Sequence, residues 1–291
     1  MSVREDFQTF CNNLTVNNRD DISARYKVIT KRLNIDFWNS LSETDHSLYA
    51  GSYGRGTAIR GFSDLDMIFV LPTNLYFKYN NYLYNGQSAL LQAVKNSIIK
   101  KYPQTAISGD GQVVVVNFSD GMKFEVVPCF PKDDGSFTYA DSNNGGKWKT
   151  TNPKPEIKAI RVRDLLCNGN LKQLCRMARA WKNNWYVPMG GLLIDTLAYN
   201  FINYWEYRKK SYFWYDWMSR DFFFYLANQD RNQIYWKAAG SQQYVWRKGL
   251  FEYTAKRCYN LAQEAIDYES RGMKWSARGK WREIYGKFYP K

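Results

Sequence analysis

The chain has 291 residues, 45% apolar and 23% charged, enough to bury a sizeable core in one large domain or two modest ones. Its net charge of +14 is uneven: residues 1–150 carry 16 Lys and Arg against 15 Asp and Glu, and residues 151–291 carry 25 against 12. That surplus attracts polyanions such as nucleoside triphosphates or nucleic acid. The only histidine, His46, excludes multi-histidine zinc sites and most imidazole-based catalysis.

The opening Met-Ser-Val-Arg-Glu-Asp-Phe is charged and lacks the apolar core of a signal peptide. Residues 4–33 predict one or two helices, because Ile22, Tyr26, Ile29 and Leu33 recur at helical spacing. A short strand at 48–51 enters a glycine-rich turn, and a strand at 64–71 is closed by Pro72. A helix at 88–101 is ended by Pro103. Two β-branched and aromatic runs, 112–118 and 122–130, flank Ser119-Asp120-Gly121 and predict a hairpin. Residues 131–155 turn polar and rich in Gly and Asn, which predicts a long loop between two halves. Beyond it the period is helical almost throughout, with helices near 155–167, 170–185, 191–207, 216–228, 249–270 and 275–286. The apolar stretch 189–205 contains Asp195 and is too polar for a membrane span. Cys11, Cys129, Cys167, Cys175 and Cys258 are scattered and odd in number, which fits a reducing cytoplasm better than a disulfide framework. Nine of the 11 Trp follow residue 150 and are expected to fill core. The expectation is an α+β fold, with a catalytic lobe over 1–150 and a helical lobe over 151–291 packed on it.

The chemistry concentrates between residues 51 and 66. In Gly51-Ser52-Tyr53-Gly54-Arg55-Gly56-Thr57 the glycines allow close backbone approach, and the Ser52 hydroxyl with successive N–H groups can cradle phosphate. About a dozen residues later, Asp64 and Asp66 project from one face of a strand, because side chains alternate along it. Two such close carboxylates repel unless a cation joins them, and oxygen ligands suit Mg²⁺ or Mn²⁺. A two-metal site needs a third acid from a neighbouring strand, and Glu125 is the candidate, buried mid-strand at a cost unless it is paired or metal-bound. Lys123, two residues back on the same face, offers the alternative of an ordinary ion pair with it.

Gly51-Ser52, Asp64-x-Asp66 and Phe124-Glu125-Val126-Val127-Pro128 together resemble the polymerase-β-like nucleotidyltransferases. The blocks 51–72, 174–182 and 280–290 resemble more closely the bacterial CD-NTases (DncV-like synthases, the SMODS domain) of CBASS anti-phage systems. The resemblance implies a polymerase-β-like lobe with a mixed β-sheet packed against an all-helical lobe, and a cytoplasmic enzyme that joins ribonucleoside triphosphates into a cyclic di- or trinucleotide, releasing pyrophosphate. It implies two Mg²⁺ or Mn²⁺ ions on Asp64, Asp66 and Glu125, and a donor triphosphate on Gly51 and Ser52. Lys182, on a helix with Arg176 and Arg179, resembles the family lysine that reaches the triphosphate; a solvated helix charge is the alternative. The cyclic product would act through a downstream effector, and RNA on the basic half is a candidate activator. One departure stands out: Met189-Gly190-Gly191 replaces the serine and aromatic that wider relatives place before the next helix acid, here Asp195. Base-reading residues are left unassigned, with Tyr53, Tyr199, Tyr204, Ser241 and Gln242 as candidates. The rival readings are a linear-oligonucleotide or RNA-end nucleotidyltransferase, and an RNA-binding module with an inactive fold.

Overall fold

The computed structural model describes residues 3–61 and 64–291. The chain divides into two compact units, one of Asn17–Gly54 and Ser63–Lys154, the other of Met1–Val16, Arg55–Phe62 and Pro155–Lys291. Composition places the boundary near 150, and contact density places it at 154. The same density assigns the first sixteen residues and the segment after Gly54 to the helical unit.

Helix α1 (Val3–Leu14) belongs to the helical unit because Phe7, Phe10, Cys11 and Leu14 form one apolar stripe, all fully buried. The sheet unit begins with α2 (Arg19–Trp38), which buries Ile22, Tyr26, Ile29 and Leu33 as their spacing predicts. Strand β1 (Ser47–Tyr49) leads into the expected glycine-rich turn, which is a single helical turn, α3 (Gly51–Gly54). Strand β2 (Leu65–Val70) follows, then α4 (Thr73–Asn80) and α5 (Gly86–Lys101). Strands β3 (Ala106–Asp110), β4 (Val113–Asn117) and β5 (Lys123–Pro131) come next. The predicted hairpin is β4–β5, with Asn117 opposite Lys123.

The expected long loop over 131–155 instead holds a second hairpin, β6 (Phe137–Asp141) and β7 (Lys147–Thr151). Its polar residues misled the sequence reading because β7 is paired on one side only, so it needs few apolar residues. The sheet runs β1-β2-β5-β4-β3, with β6 also on β5. It is mixed: β2 and β5 are parallel and their other pairings antiparallel. A parallel pair needs a crossover, here supplied by α4, α5 and the β3–β4 hairpin. Leu65, Met67 and Phe69 of β2, with Phe124 and Val126 of β5, are buried. Each such side chain contributes roughly 1.5–3 kcal/mol, which anchors both strands rigidly.

The helical unit continues with α6 (Pro153–Leu166), α7 (Asn170–Asn184), α8 (Gly191–Tyr204), α9 (Tyr215–Ala227), α10 (Glu252–Ser270) and α11 (Lys274–Tyr285). It is not all-helical, because β8 (Tyr235–Lys237) and β9 (Tyr244–Trp246) form a small hairpin. Three-residue strands are too short to register against a helical background. One apolar core joins α1 to the C-terminal helices: the Phe7 ring lies edge-on to Trp281 at 5.1 Å, and Asp6 accepts two bonds from Arg278 at 2.8 and 3.0 Å. Seven of the nine late Trp, Trp246 and Trp275 excepted, are buried or partly buried in or against this core. All five cysteines are buried free thiols. Among the described residues no helix is long and apolar enough to cross a membrane.

Candidate active site

In the sheet unit, burial alternates so that Leu65 and Met67 point into the core, while Asp64 is exposed and Asp66 half-buried on the other face. On β5 the same alternation buries Phe124 and Val126 and turns Lys123 and Glu125 outward. The parallel register sets Asp66 directly beside Glu125. The turn that opens the motif arrives at the same place. The Ala50 N–H donates to the Asp66 carbonyl at 2.8 Å, and the Gly54 N–H donates to the Ala50 carbonyl at 2.7 Å. Gly51 has φ +54°, and a Cβ there would stand 1.7 Å from Asp66 Oδ2. Only glycine allows the turn to close on that carboxylate. Ser52 is half-exposed in the same turn. Glycine turn and acids, separated in sequence, are therefore neighbours in the sheet unit.

A cation of the chain itself contacts two of the three expected metal ligands. Lys123 Nζ donates to Glu125 Oε1 at 2.6 Å and to Asp64 Oδ2 at 3.1 Å, so an ammonium bridges two of the three acids. The bond to Glu125, opposed by partial burial and helped by Asp64, raises the Lys123 pKa. Among the described residues no three acids, histidines or cysteines stand close enough to hold an ion as they are. The donor set still fits a hard divalent cation, being all carboxylate oxygen, on adjacent strands, beside a glycine with no side chain to block it. One lysine already fills the role of counter-charge there, and both readings of Glu125 rest on the same geometry.

The second half of the glycine motif serves the helical unit. Arg55, Arg179, Asp195 and Glu156 are all buried there. Asp195 accepts from Arg179 Nη1 at 2.5 Å, Arg179 Nη2 at 2.8 Å, Arg55 Nε at 2.8 Å and Thr57 Oγ1 at 3.0 Å. Burial alone would raise the Asp195 carboxyl, but the charges of Arg179 and Arg55 overcome it and hold it far below the usual range. Glu156 lies 3.5 Å from Arg55 and accepts from the Ser241 hydroxyl at 2.8 Å; burial still pushes its carboxyl upward. Gly56, at φ +71°, leaves room for the Lys172 side chain and accepts from Arg176 Nη2 at 2.9 Å through its carbonyl. Arg179 and Arg176 are thus structural, and the basic helix does not present three free charges. Lys182 does lie at the end of α7, half-buried, where desolvation and the charges of Lys248 and Arg179 lower its pKa.

The remaining candidates also find places. Ser241 belongs to the buried ion cluster, and Tyr199 packs under Arg163. Tyr53 packs on Tyr49, Gln242 takes a left-handed conformation at φ +57°, and Tyr204 is exposed. His46 is structural: its ring stacks on Trp38 at 3.9 Å and Nδ1 bonds to Asn34. Sequence reasoning missed the Arg55–Asp195 pair, because it joins residues far apart in the chain.

Comparison with known proteins places the fold. Residues 1–163 match the Second Messenger Oligonucleotide or Dinucleotide Synthetase (SMODS) domain family. A probable cyclic nucleotide synthase of Bacillus cereus (strain VD146) is 23% identical over 277 residues, covering 82% of this chain and 81% of the relative. The Escherichia coli MS115-1 CdnC structure, solved with a HORMA protein, superposes with a TM-score of 0.67 at 16% identity over 99% of this chain and 98% of that one. Bradyrhizobium diazoefficiens CdnG, solved with GTP, superposes at 0.69 and 11% identity over 98% and 96%. Vibrio cholerae DncV superposes at 0.65 and 14% identity over 99% and 87%. At these identities the structures establish a shared α+β nucleotidyltransferase fold. Together with the match over more than half of its length, this shows that the chain belongs to the SMODS family of cyclic nucleotide synthases.

Proposed function

We propose that this protein is a metal-dependent nucleotidyltransferase that joins ribonucleoside triphosphates into a cyclic di- or trinucleotide, releasing pyrophosphate, as a messenger in CBASS anti-phage defence. The observation that carries the reading is the meeting of Gly51 with Asp66 and of Asp66 with Glu125 on adjacent strands. The reaction is in-line attack of a ribose hydroxyl on the α-phosphorus of a bound triphosphate, with no covalent protein intermediate, which suits a chain with one structural histidine. Two Mg²⁺ or Mn²⁺ ions held by Asp64, Asp66 and Glu125 would lower the hydroxyl pKa and neutralise the leaving group. Gly51 and Ser52 hold donor phosphate through backbone and hydroxyl, and Lys182 is proposed as a triphosphate ligand on the resemblance of its helix to the family's. Lys123 neutralises Asp64 and Glu125 until substrate arrives. Related synthases solved with ATP or GTP support a nucleoside triphosphate substrate. The buried free thiols support a reducing cytoplasm.

Incubation with all four ribonucleoside triphosphates and Mg²⁺ or Mn²⁺, read by mass spectrometry, tests this. A phosphatase-resistant cyclic product is expected. A linear product would convert the reading to a linear synthase, and no turnover in any mixture would leave an inactive fold. Activation by RNA rests on the basic second half, and predicts activity that depends on added RNA and falls steeply with salt.

A further inference from the structure

Within the helical unit, the far end of α8 from the buried ion cluster meets α9 around a cleft of about 620 Å³, the size of a small-molecule site. Its wall is aromatic: Phe201, Tyr204, Trp205 and Tyr207 come from α8 and the turn after it, Phe224 and Tyr225 from α9. The Phe201 ring joins the two sides, 6.0 Å from Trp205 and 5.7 Å from Tyr225 between ring centres. Tyr204 and Phe224, 85% and 51% exposed, leave ring faces open to solvent. Both charged residues lining the cleft are acids, Glu206 and Asp221, in a half of the chain where 25 Lys and Arg face 12 Asp and Glu. Asp221 is already committed: Oδ2 accepts from the Trp205 indole at 3.0 Å and Oδ1 from Arg220 Nε at 2.8 Å, which fixes the Trp205 ring. Glu206 is exposed, and among the described residues it has no cation within ion-pair distance. Beside the cleft, aromatic faces already carry cations of the chain itself. Arg220 lies over Trp217 at 4.9 Å, and Lys210 over Trp214 at 5.9 Å, whose ring stacks on Tyr207 at 4.2 Å. No lysine or arginine lines the cleft.

From this geometry we infer that the cleft binds a small organic cation, a substituted or quaternary ammonium, with its alkyl groups on the aromatic faces and its charge toward Glu206. A ring face is the negative side of the aromatic quadrupole, and it attracts a cation that is easily stripped of water. A carboxylate at the same place adds to that attraction. An anion would meet two carboxylates here, and an uncharged ligand would gain nothing from Glu206. One free carboxylate among rings supplies too few oxygens for Mg²⁺ or Ca²⁺. The site is distinct from the glycine turn and the acids of the sheet unit, and the inference stands whether or not the chain makes a cyclic product.

The test is binding to the full chain of choline, of benzyltrimethylammonium and of dimethylbutanol, which has the shape of choline with carbon in place of nitrogen. Ligand-observed NMR and tryptophan fluorescence read it, with sodium chloride matched for ionic strength and melting temperatures as a folding control. Choline should bind roughly tenfold more tightly than its uncharged analogue, on the scale of a cation held against aromatic faces. Glu206→Gln and Tyr204→Leu change exposed residues, so both should melt like wild type. Each should weaken both ammonium ions roughly three- to tenfold, and Glu206→Gln should leave dimethylbutanol unaffected. Equal binding of choline and dimethylbutanol would make this a plain apolar cleft and overturn the inference. Unchanged affinity in both variants would place the cation elsewhere and overturn it too, as would failure of both ammonium ions to bind wild type at millimolar concentration.

Discussion

Replacing Asp195 by Asn isolates the energetics of the buried charge cluster. Asp195 is fully buried and accepts four bonds from three partners. Asparagine keeps one acceptor but turns an amide N–H₂ toward groups that are themselves donors, Arg55, Thr57 and one arm of Arg179. Arg55 would keep Glu156, at 3.5 Å, while Arg179 would lose the carboxylate it pairs with. Breaking a buried ion pair on one side costs about 3–5 kcal/mol, because the remaining charge is left uncompensated. Against a total of about 5–15 kcal/mol for a folded domain, that is a large fraction. Urea unfolding followed by tryptophan fluorescence reads it directly, since fully buried Trp181 lies in the same unit. Adding Arg179→Met to Asp195→Asn should return part of the loss, because it removes one unmatched cation. The pH dependence has a definite sign. A carboxyl whose folded pKa is depressed adds stability above its unfolded pKa, near 4, and surrenders it only as pH falls further toward the folded value. The gap between wild type and variant should therefore hold from pH 8 to about pH 4 and shrink only in stronger acid. A variant within about 1 kcal/mol of wild type at pH 7 would refute the accounting.

Alanine at Asp64 or Asp66 should reduce product formation at least ~10³-fold, on the scale of lost electrostatic stabilisation at a reacting phosphate, with an unchanged circular dichroism spectrum; mass spectrometry of the product decides it. Gly51→Ala should lose most activity and about 1–2 kcal/mol of stability, since it meets both a left-handed φ and the Asp66 carboxylate; activity near wild type would remove the close approach from the mechanism. Burial pushes the Asp216 carboxyl up to about 6 while its Oδ1 accepts from the Trp217 N–H, a bond that asparagine can keep. A raised carboxyl pKa means that stability falls as pH climbs from about 4 to 6. Asp216→Asn should therefore stabilise by about 1–3 kcal/mol at pH 7.5 and by nothing measurable near pH 4, read by urea titration at both values.

Much of the candidate site's geometry could be read without coordinates because its signals are local. A strand exposes alternate residues, so Asp64 and Asp66 share a face wherever the strand lies, and Asp-Gly closes a hairpin whatever surrounds it. The need for a third acid on a neighbouring strand then pointed to Glu125, and the family blocks pointed to the fold. The errors were of another kind. A polar hairpin with one side unpaired looks like a loop, and a three-residue strand carries too few residues to show a period. The sequence shows α7 as a basic helix but not its partners: Arg179 is neutralised by an acid sixteen positions away and Arg176 caps a carbonyl 120 positions back.

The Gly51–Thr57 run draws the dividing line. By itself the sequence determined that this stretch needs glycine, that a hydroxyl stands in it and that two acids follow at strand spacing, because backbone freedom and side-chain alternation are properties of neighbouring residues. Tertiary structure decided that Gly51 closes on Asp66, that Arg55 turns instead into a buried pair with Asp195, and that Lys123 sits between Asp64 and Glu125. Which partner a charged group finds depends on the distance and burial of groups remote in the chain, and only the folded chain sets those.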